Sequence, residues 1–473
     1  MKLYEQLANS IAQSIQEGVL SRGDKLPSVR QASESRGVSA ATVFQAYYLL
    51  EARGLITARE RSGYFVTGGA ISIPPAPVPI VESSADSMHV DVSELVFEVL
   101  ESNITQHVVP LGSAFLSPFL FPLDQLAKCI CSSLQAIDPW SVMSNINRGD
   151  AELRRQIALR YLIGGLNVAA EEIIVTNGAL EALNLCLMAV TRPGDTVLIE
   201  SPTFFAALQS IERIGLRAVE VPSHPKDGID LAAMEHAIIK HKPQACWIMT
   251  NFQNPSGSLM SDANKKALVE LITKYQLPLI EDDVYSELYF GDKRPMPAKA
   301  FDTEGLVMHC SSFSKCLAPG YRVGWVTPGR YLKAVERLKL TTTLATSLPA
   351  QVAIAKYLQK GGYDKHLRNL RQTLLVNQIK FIEAIERYFP EGTCLTAPQG
   401  GYFLWLKLPD GVDALQLHKL AIADGISIAP GPIFSAQRKF TNYIRLNYGH
   451  NWNMRYEMSL NALGVIVKRL IPA

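Results

Sequence analysis

From about residue 110 onward, short apolar runs rich in β-branched residues alternate with helical segments. The runs are EEIIVTN, DTVLIE, ACWIMT, LPLIEDD and GLVMHCSS. They are apolar on both faces, which is typical of strands in a parallel sheet that helices cover on both sides. The alternation therefore predicts an α/β fold built on a mostly parallel sheet.

A stretch rich in Pro, Gly and Ser precedes this pattern at residues 68–87, GGAISIPPAPVPIVESSADS. Its prolines remove backbone donors and favour extended geometry, so the stretch is predicted to be a semi-rigid linker. A long irregular loop within one domain is the alternative. The chain has 473 residues with 48% hydrophobic content, which is enough for two or three domains.

Charge and composition exclude several classes of protein. The formal net charge is +2, and residues 1–69 hold eight Lys or Arg against six Asp or Glu, so a DNA-binding assignment must rest on pattern. No apolar run approaches the roughly 18 residues of a membrane helix, and the N-terminus lacks the apolar core of a signal peptide. The seven scattered cysteines lack the spacing of a zinc site, which predicts reduced thiols in the cytoplasm and no metal.

The first 67 residues carry the pattern of three helices and a hairpin. Leu3, Leu7, Ile11 and Ile15 repeat every four residues, which predicts a first helix. A capping-box pattern opens a second helix at VRQASESR, a third helix follows GVS, and the runs LITARE and GYFVT predict two strands. These are the elements of a winged helix-turn-helix, whose third helix enters the major groove of DNA.

Two groups of side chains are candidates for DNA contact. Ser39, Thr42 and Gln45 lie at the start and on the solvent side of the third helix, while Arg30 and Arg61 are placed to meet phosphates. The segment resembles the GntR family of bacterial regulators over about 65 residues, through LYEQLA, GVLSRGDKLPSVR, GVSAATV, AYYLLEARGLI and RSGYFV. A helix-turn-helix that serves only for dimerisation or protein contacts is the alternative.

Lys315 stands in SSFSKCLAPGYRVGW, just after the strand-like run GLVMHC. Among Ser, Phe and apolar residues its amine is desolvated, which favours the neutral form that makes a Schiff base. Arg322, Ser312 and Ser314 can reach one phosphate dianion. Taken alone, a lysine in S-x-x-K is a weak signal, because a surface lysine is the usual case.

Two backbone positions extend this candidate phosphate site. Gly178 and Ala179 lie in the turn between EEIIVTN and the helix LEALNLCLMAV. The N–H groups at a helix N-terminus face an anion, and Gly allows close approach. An ordinary turn is the alternative.

Three further residues have the chemistry to hold an aromatic ligand with a carboxylate. Asp282 lies at the C-terminal end of the run LPLIEDD, where α/β sheets place ligands, and Asp283 competes with it. Phe204 in ESPTFFAAL would stack on a ring, with an ordinary core position as the alternative. Arg445, inside the apolar run NYIRLNYG, has no local acid and would bind a substrate carboxylate; a salt bridge to a distant acid is the alternative.

Pyridoxal 5′-phosphate (PLP) requires an amine, a phosphate-binding site, an acid that faces its ring nitrogen and an aromatic residue that covers its ring. Residues 110–470 resemble the fold-type I PLP enzymes, in the branch of kynurenine and aminoadipate aminotransferases, through NPSG, DDVY, SFSK, PGYRVGW, GGYFLW and YIRL. The resemblance implies that Lys315 forms the Schiff base and that Asp282 faces the ring nitrogen. It also implies that Tyr285 and Asn254 bind the phenolic oxygen of the ring.

With the GntR-like head, nearly the whole chain resembles the MocR-type regulators. The resemblance implies a head at 1–67, a linker at 68–90, an arm with the PLP-binding large domain at 91–345, and a smaller α+β domain at 346–473. A homodimer is expected, because fold-type I sites form between subunits and winged heads read half-sites in pairs.

Three functions fit these features. The first is a cytoplasmic regulator that binds its own operator and senses an amino compound through exchange of the Schiff base at Lys315. The second is an active PLP-dependent amino-acid aminotransferase with an accessory head, and the third is a DNA-binding protein with a cofactor-free dimerisation scaffold. The head favours the first, and the intact Lys315 and Arg445 leave transamination open. The retained PLP contacts disfavour the third.

Overall fold

The computed structural model of the protein describes most of the chain. The described residues are 2–17, 19–21, 23–59, 63–66, 75–77, 86–102, 108–135, 137–138, 140, 143, 146 and 148–472. Most of the predicted linker, and Arg61 of the predicted wing, lie outside them. The described helices include none with both the length and the apolar character of a membrane span, and the described residues contain no cluster of three or more His, Cys, Asp or Glu side chains placed to bind a metal ion.

Three helices and an antiparallel hairpin form the N-terminal head. Helices α1 (Leu3–Gln16), α2 (Val29–Arg36) and α3 (Ala40–Ala52) precede strands β1 (Ile56–Arg59) and β2 (Gly63–Val66). The predicted winged helix-turn-helix is confirmed.

Side-chain and backbone caps set the boundaries of α2 and α3. The Ser28 hydroxyl accepts a hydrogen bond from the Gln31 N–H at 3.2 Å, and Gln31 Oε1 accepts one from the Ser28 N–H at 3.0 Å, as the capping-box pattern predicts. Helix α2 ends at Arg36, and the next residue, Gly37, caps it with a left-handed φ of 63° that suits a residue without a side chain. Ser39 then accepts a hydrogen bond from the Thr42 N–H at 3.1 Å and opens α3.

A mostly parallel sheet forms the centre of the large domain. Its strands are β3 (Met88–His89), β4 (Ile174–Thr176), β5 (Thr196–Ser201), β6 (Arg217–His224), β7 (Gly228–Ile229), β8 (Ala245–Ile248), β9 (Leu279–Asp282), β10 (Val307–Ser312) and β11 (Gly324–Thr327). Across the sheet they run β3-β6-β5-β8-β9-β10-β11-β4, with β7 paired to β6. Strands β6, β5, β8, β9 and β10 are mutually parallel, and β11 is antiparallel to both neighbours. The predicted sheet is confirmed.

Helices cover both faces of this sheet. They are α4 (Ser93–Ser102), α5 (Leu123–Leu134), α6 (Ala151–Ile163), α7 (Ala179–Val190), α8 (Phe205–Ile214), α9 (Leu231–His241), α10 (Asp262–Tyr275), α11 (Leu332–Thr342) and α12 (Leu348–Gln359). Successive strand residues enter two separate hydrophobic clusters: in β8, Trp247 joins one cluster, and Cys246 and Ile248 join the other. The pleat therefore explains why these strands are apolar at every position.

An antiparallel sheet and three helices follow at the C-terminus. The strands are β12 (Cys394–Leu395), β13 (Phe403–Lys407), β14 (Ala429–Pro430) and β15 (Tyr443–Asn447), in the order β12-β13-β15-β14; the helices are α13 (Gly362–Tyr388), α14 (Ala414–Ala423) and α15 (Met454–Leu470). Helix α12, inside the predicted segment 346–473, lies against α5 and α6. The domain boundaries stay predictions.

Helix α13 contacts both the head and the large domain along its 27 residues. Leu375 and Ile379 pack against the hydrophobic cluster of the head, and the Tyr4 hydroxyl donates to Gln372 Oε1 at 2.8 Å. Closer to its start, His366 Nε2 lies 2.7 Å from the carbonyl oxygen of residue 316. One helix thus joins the head to the segment that carries Lys315.

Removing the cap of α2 tests the local stability of the head. We expect Ser28→Ala to cost about 1 kcal/mol, because the Gln31 N–H loses its acceptor. Amide hydrogen exchange in α2 of the full-length protein should therefore become about fivefold faster. Ser35→Ala is the control, since the Ser35 hydroxyl is bonded within the helix to the Ala32 carbonyl oxygen and caps no terminus. Unchanged exchange in Ser28→Ala would contradict the role of the cap.

Candidate functional site

Lys315 lies in the turn that follows β10, at the edge where the parallel strands end. Its Nζ donates to the carbonyl oxygen of Ala114 at 2.9 Å. Burial and the positive charges of Arg445 and Arg322 lower the pKa of Lys315 to about 8, and Asp282 partly opposes them. Part of the Lys315 amine is therefore neutral and nucleophilic near neutral pH.

Two adjacent aspartates at the end of β9 have opposite environments. The Asp283 carboxylate lies 2.9 Å from both His309 Nε2 and Asn251 Nδ2, and 3.7 Å from Arg294. Burial alone would raise the pKa of Asp283, but His309 and Arg294 outweigh it and hold the pKa below its ordinary value. Asp282 is also buried, and its Oδ1 has no partner among the described residues. Burial and the charge of Asp283 raise the pKa of Asp282 to about 7.

Asn254 and Tyr285 lie close to this aspartate. Asn254 Oδ1 accepts a hydrogen bond from Arg445 Nη1 at 2.9 Å, while its Nδ2 has no partner in the described part of the chain. Burial raises the pKa of Tyr285, and the charge of Arg445 opposes the shift. The Tyr285 ring meets the Tyr402 ring edge-on at 5.4 Å, and the Tyr402 hydroxyl donates to the Ala114 carbonyl oxygen at 2.8 Å.

Arg445, on β15, is a buried cation. Its Nη2 donates to the Gly112 carbonyl oxygen at 2.7 Å, and its Nε has no hydrogen-bond partner within the described chain. The guanidinium lies 4.2 Å from the centre of the Phe403 ring and 5.3 Å from that of Phe434. Burial lowers its pKa to about 10. No acid of the described residues forms an ion pair with it, so the alternative of a distant salt bridge is not seen there.

The candidate phosphate-binding residues also come together. Gly178 adopts a φ of 81°, and a Cβ there would lie 2.4 Å from Arg322 Nη2. Arg322 Nη1 donates to Ser314 Oγ at 3.1 Å. Ser312 pairs across the sheet with Gly324, which is packed so tightly on Gly178 that a Cβ would lie 2.5 Å from its carbonyl carbon. Two serines, an arginine and a glycine turn therefore share one small region.

Two remaining candidates lie at helix starts. Ala179 is the first residue of α7, so its N–H is one of the free donors of that helix. Phe204 immediately precedes α8, and its half-buried ring lies 4.8 Å from that of Phe205. No described contact joins Phe204 to Lys315.

Four of the candidate DNA contacts lie on the surface of the head. The Ser39 and Thr42 hydroxyls are 2.8 Å apart, and Gln45 is exposed on the same helix. The Arg30 side chain is 90% exposed. The fifth candidate, Arg61, lies outside the described residues.

Glu200, at the end of β5, is a group that the sequence did not single out. Burial and the charge of Asp282 raise its pKa to about 8. Its Oε2 accepts a hydrogen bond from the Met249 N–H at 2.8 Å, and its Oε1 has no partner among the described residues. The one available signal was a lone acid at the end of DTVLIE, which many strands carry.

Known proteins resemble both parts of the chain. Residues 3–66 match the gntR family of bacterial regulatory proteins, and residues 140–457 match aminotransferase class I and II. The HTH-type transcriptional regulator YdcR of Escherichia coli K12 is 45% identical over 469 residues, which cover 99% of each chain. The chain belongs to the MocR-type regulators. A second relative of this MocR type, YjiR of the same organism, is 36% identical over 473 residues and again covers 99% of both chains.

Solved structures resemble the second part of this MocR-type chain. The kynurenine aminotransferase of Pyrococcus horikoshii, solved in complex with PMP, is 29% identical with a TM-score of 0.75. The match covers 81% of this chain and 96% of that one. Both resemblances inferred from the motifs, to GntR heads and to fold-type I aminotransferases, are confirmed.

Replacing Asp282 by Asn tests its raised pKa. Because folding raises the pKa to about 7, the protonated acid stabilises the fold at low pH, and this stabilisation is lost as the pH rises through 7. In cofactor-free protein, Asp282→Asn should therefore increase the free energy of unfolding more at pH 8 than at pH 5. The extra gain is about 2–3 kcal/mol, from about 1.4 kcal/mol for each pH unit between 5 and 7. Thermal unfolding at the two pH values measures it.

Asp283→Asn is the matched control. Folding lowers the pKa of Asp283, so its charged form stabilises the protein above the unfolded pKa, and this is lost only as the pH falls through the folded pKa. The control variant should be destabilised at both pH values. If the increase in the free energy of unfolding caused by Asp282→Asn is the same at pH 5 and pH 8, neighbouring groups balance the Asp282 charge and its pKa is not raised.

Proposed function

We propose that this DNA-binding regulator binds PLP at Lys315 and responds to an amino compound in its aminotransferase-like domain. The single observation that carries the proposal is a poised amine beside two buried groups with unpaired polar atoms, Lys315 with Asp282 and Arg445. A bound ligand would provide a hydrogen-bond or charge partner for each of these groups. The regulatory role follows from the head and from the relatives named as transcriptional regulators.

The region around Gly178 fits a phosphate group. The Arg322 guanidinium comes close to the backbone there because residue 178 has no side chain, since a Cβ would lie 2.4 Å from its Nη2. Ser312 and Ser314 add hydroxyl donors, and Ala179 adds the N–H of a helix N-terminus. Together these groups would balance the charge of a dianion.

Polar atoms near β9 match the ring nitrogen and the phenolic oxygen of a hydroxypyridine ring. Asp282 Oδ1 is a free acceptor for a ring N–H, and Asn254 Nδ2 and the Tyr285 hydroxyl are donors for a phenolic oxygen. Phe204 would cover the ring. When bound, PLP supplies an aldehyde for an amine and a ring that draws electrons. A protonated ring nitrogen would lower the pKa of Asp282 from about 7 and keep the carboxylate charged.

Arg445 would select a ligand that carries a carboxylate. It is buried against two aromatic rings, and the described residues offer it carbonyl and amide oxygens but no anion. The same charge lowers the pKa of Lys315, so a carboxylate bound at Arg445 would raise that pKa again. An amino acid would thus occupy Arg445 with its carboxylate and compete with Lys315 through its amine.

Transamination is a second candidate function. The lowered pKa of Lys315 favours it, because a lysine that gives up its proton near neutral pH can move one during catalysis. The DNA-binding head on the same chain favours regulation as the main role. Both functions use the same residues, so the formation of an oxo acid, rather than binding, separates them.

We also propose that the DNA-binding form is a homodimer, in the cytoplasm with its operator. Large apolar side chains are exposed in the described part of the segment 115–140, among them Phe115, Phe119, Leu123 and Trp140. The Phe115 ring centre lies 4.7 Å from Lys315 Nζ, so this surface reaches the site. A partner subunit that covers it would exclude water from the amine and bring two heads to two half-sites.

Reductive trapping tests Lys315 as the attachment point. Borohydride reduces a Schiff base to a stable amine, so wild-type protein incubated with PLP should gain one pyridoxyl phosphate group on Lys315 in peptide mass spectra. Lys315→Ala should not be labelled. Lys333→Ala, which removes an exposed lysine of the same domain, should be labelled like the wild type. Wild-type labelling in Lys315→Ala would assign the cofactor to a different amine.

Titration with amino acids tests Arg445 and separates the two functions. Visible absorbance of the PLP-loaded protein should respond to some L-amino acids, and Arg445→Ala should raise the half-maximal concentration at least about tenfold, because a buried charge pair is lost. Arg438→Ala, at an exposed arginine of the same domain, is the control. A response without oxo acid supports the sensor, and steady oxo-acid release supports the enzyme. An unchanged response in Arg445→Ala would mean that another group binds the carboxylate.

A further inference from the structure

Helix α3 of the head is apolar on nearly all sides, yet one of its faces is open. Its 13 residues, AATVFQAYYLLEA, include a single charged residue. Val43, Ala46, Tyr47 and Leu50 face the core of the head and are buried. A helix that is apolar all round is normally covered all round, so the remaining face of α3 requires an occupant.

Two aromatic side chains dominate this open face, which consists of Ala41, Phe44, Gln45 and Tyr48. Phe44 is 55% exposed and Tyr48 is 43% exposed. Their four-residue spacing places them one helical turn apart on the same side. Ala41 and Gln45 are exposed beside them. The open face therefore has an apolar centre and one amide.

Polar groups suited to DNA lie at the start of α3 and on the helix before it. The Ser39 and Thr42 hydroxyls are 2.8 Å apart at the N-terminus of α3. On α2, the exposed Arg30 makes a surface ion pair with Glu34 at 3.1 Å, which contributes little and leaves the guanidinium available. Phosphate and sugar contacts use groups of this kind, whereas the ring of phenylalanine has neither a hydrogen-bond donor nor a positive charge for a phosphate.

We propose that Phe44 recognises DNA by packing its ring against the C5 methyl group of thymine in the major groove. The proposal rests on the DNA-binding function of the head. Phe44 lies in the N-terminal half of α3, the part of a recognition helix that reaches base edges. Thymine is the base that offers an apolar group there, and phenylalanine is among the side chains that contact it. The adjacent Gln45 carries the amide that pairs with adenine, so the open face selects sites rich in T·A pairs.

A second copy of the head is the other partner that an apolar face could take. Such a contact would cover Gln45 together with Phe44, because both lie on the open face. The head could then no longer present its recognition helix to a groove. The two uses exclude each other, and the DNA-binding family of the head favours the first.

Replacing thymine by deoxyuridine removes the C5 methyl group alone and therefore isolates the proposed contact. Duplexes that bind the full-length wild-type protein are selected from a random library. Each thymine of a selected duplex is then replaced in turn, and Kd is measured by fluorescence anisotropy at fixed salt. We expect a loss of about fourfold at one position of each half-site, the effect of burying about one methyl group.

Phe44→Ala should bind the thymine and the deoxyuridine duplexes equally, because it lacks the ring that contacts the methyl group. Phe97→Ala is the matched control, because it truncates a phenylalanine that is 65% exposed on α4 of the large domain. This control should keep the wild-type difference. Since Phe44 and Phe97 are both exposed, each variant should fold, which thermal unfolding checks.

Three outcomes would overturn the proposal. In the first, the wild type binds DNA but ignores every deoxyuridine substitution, and in the second the loss persists in Phe44→Ala; both leave the DNA-binding function intact. In the third, Phe44→Ala weakens both duplexes alike and changes the oligomeric state, which assigns the face to a second head. Failure of the wild type to select any duplex would instead overturn DNA binding itself, and the proposal with it.

Discussion

Asp282 and Arg445 are buried and Lys315 is half-buried in one site, and none of these ionisable groups has an ion-pair partner among the described residues. Their removal from water costs free energy, and burial accordingly raises the pKa of Asp282 and lowers the pKa of both cations. Such a site persists only if the surrounding elements are well packed, because a loose shell would admit water and restore the ordinary pKa values. The two packed sheets and their helices provide that shell. The free-energy cost of desolvation is offset when a ligand supplies the opposite charges.

The fold brings these groups together from distant parts of the chain. Asp282 ends one parallel strand and Lys315 follows the next, so the sheet alone places them side by side. Arg445 arrives from the C-terminal sheet and is held by the carbonyl oxygen of Gly112, 333 positions earlier in the chain. A Cβ at Gly112 would lie 2.5 Å from the Ile428 backbone, so this close approach requires glycine.

The sequence predicted what depends on local pattern and missed what depends on tertiary contact. Strand alternation and the caps at Ser28 and Ser39 are short-range signals, and they located the sheet and the helices of the head. The run EEIIVTN shows the limit, since its acids lie in a 3₁₀ turn and the strand begins at Ile174. The role of the Ala114 carbonyl oxygen as the acceptor for Lys315 Nζ could not be predicted, because every residue carries the same backbone carbonyl. Glu200 could not either, since its raised pKa arises from burial that only the folded chain creates.

Helix α13 connects the Lys315 turn with the head through contacts at two points along its length. His366 contacts the carbonyl of Cys316, the residue after Lys315, and Leu375 packs against the head. Nine residues separate these two contacts, a rise of about 14 Å along a helix, which is too short to bend appreciably. Over this length the helix is rigid. A displacement of the Lys315 turn that keeps the His366 contact would therefore also displace Leu375, which packs against the head. Contacts of this one helix therefore connect the Lys315 turn to the head without passing through the linker segment.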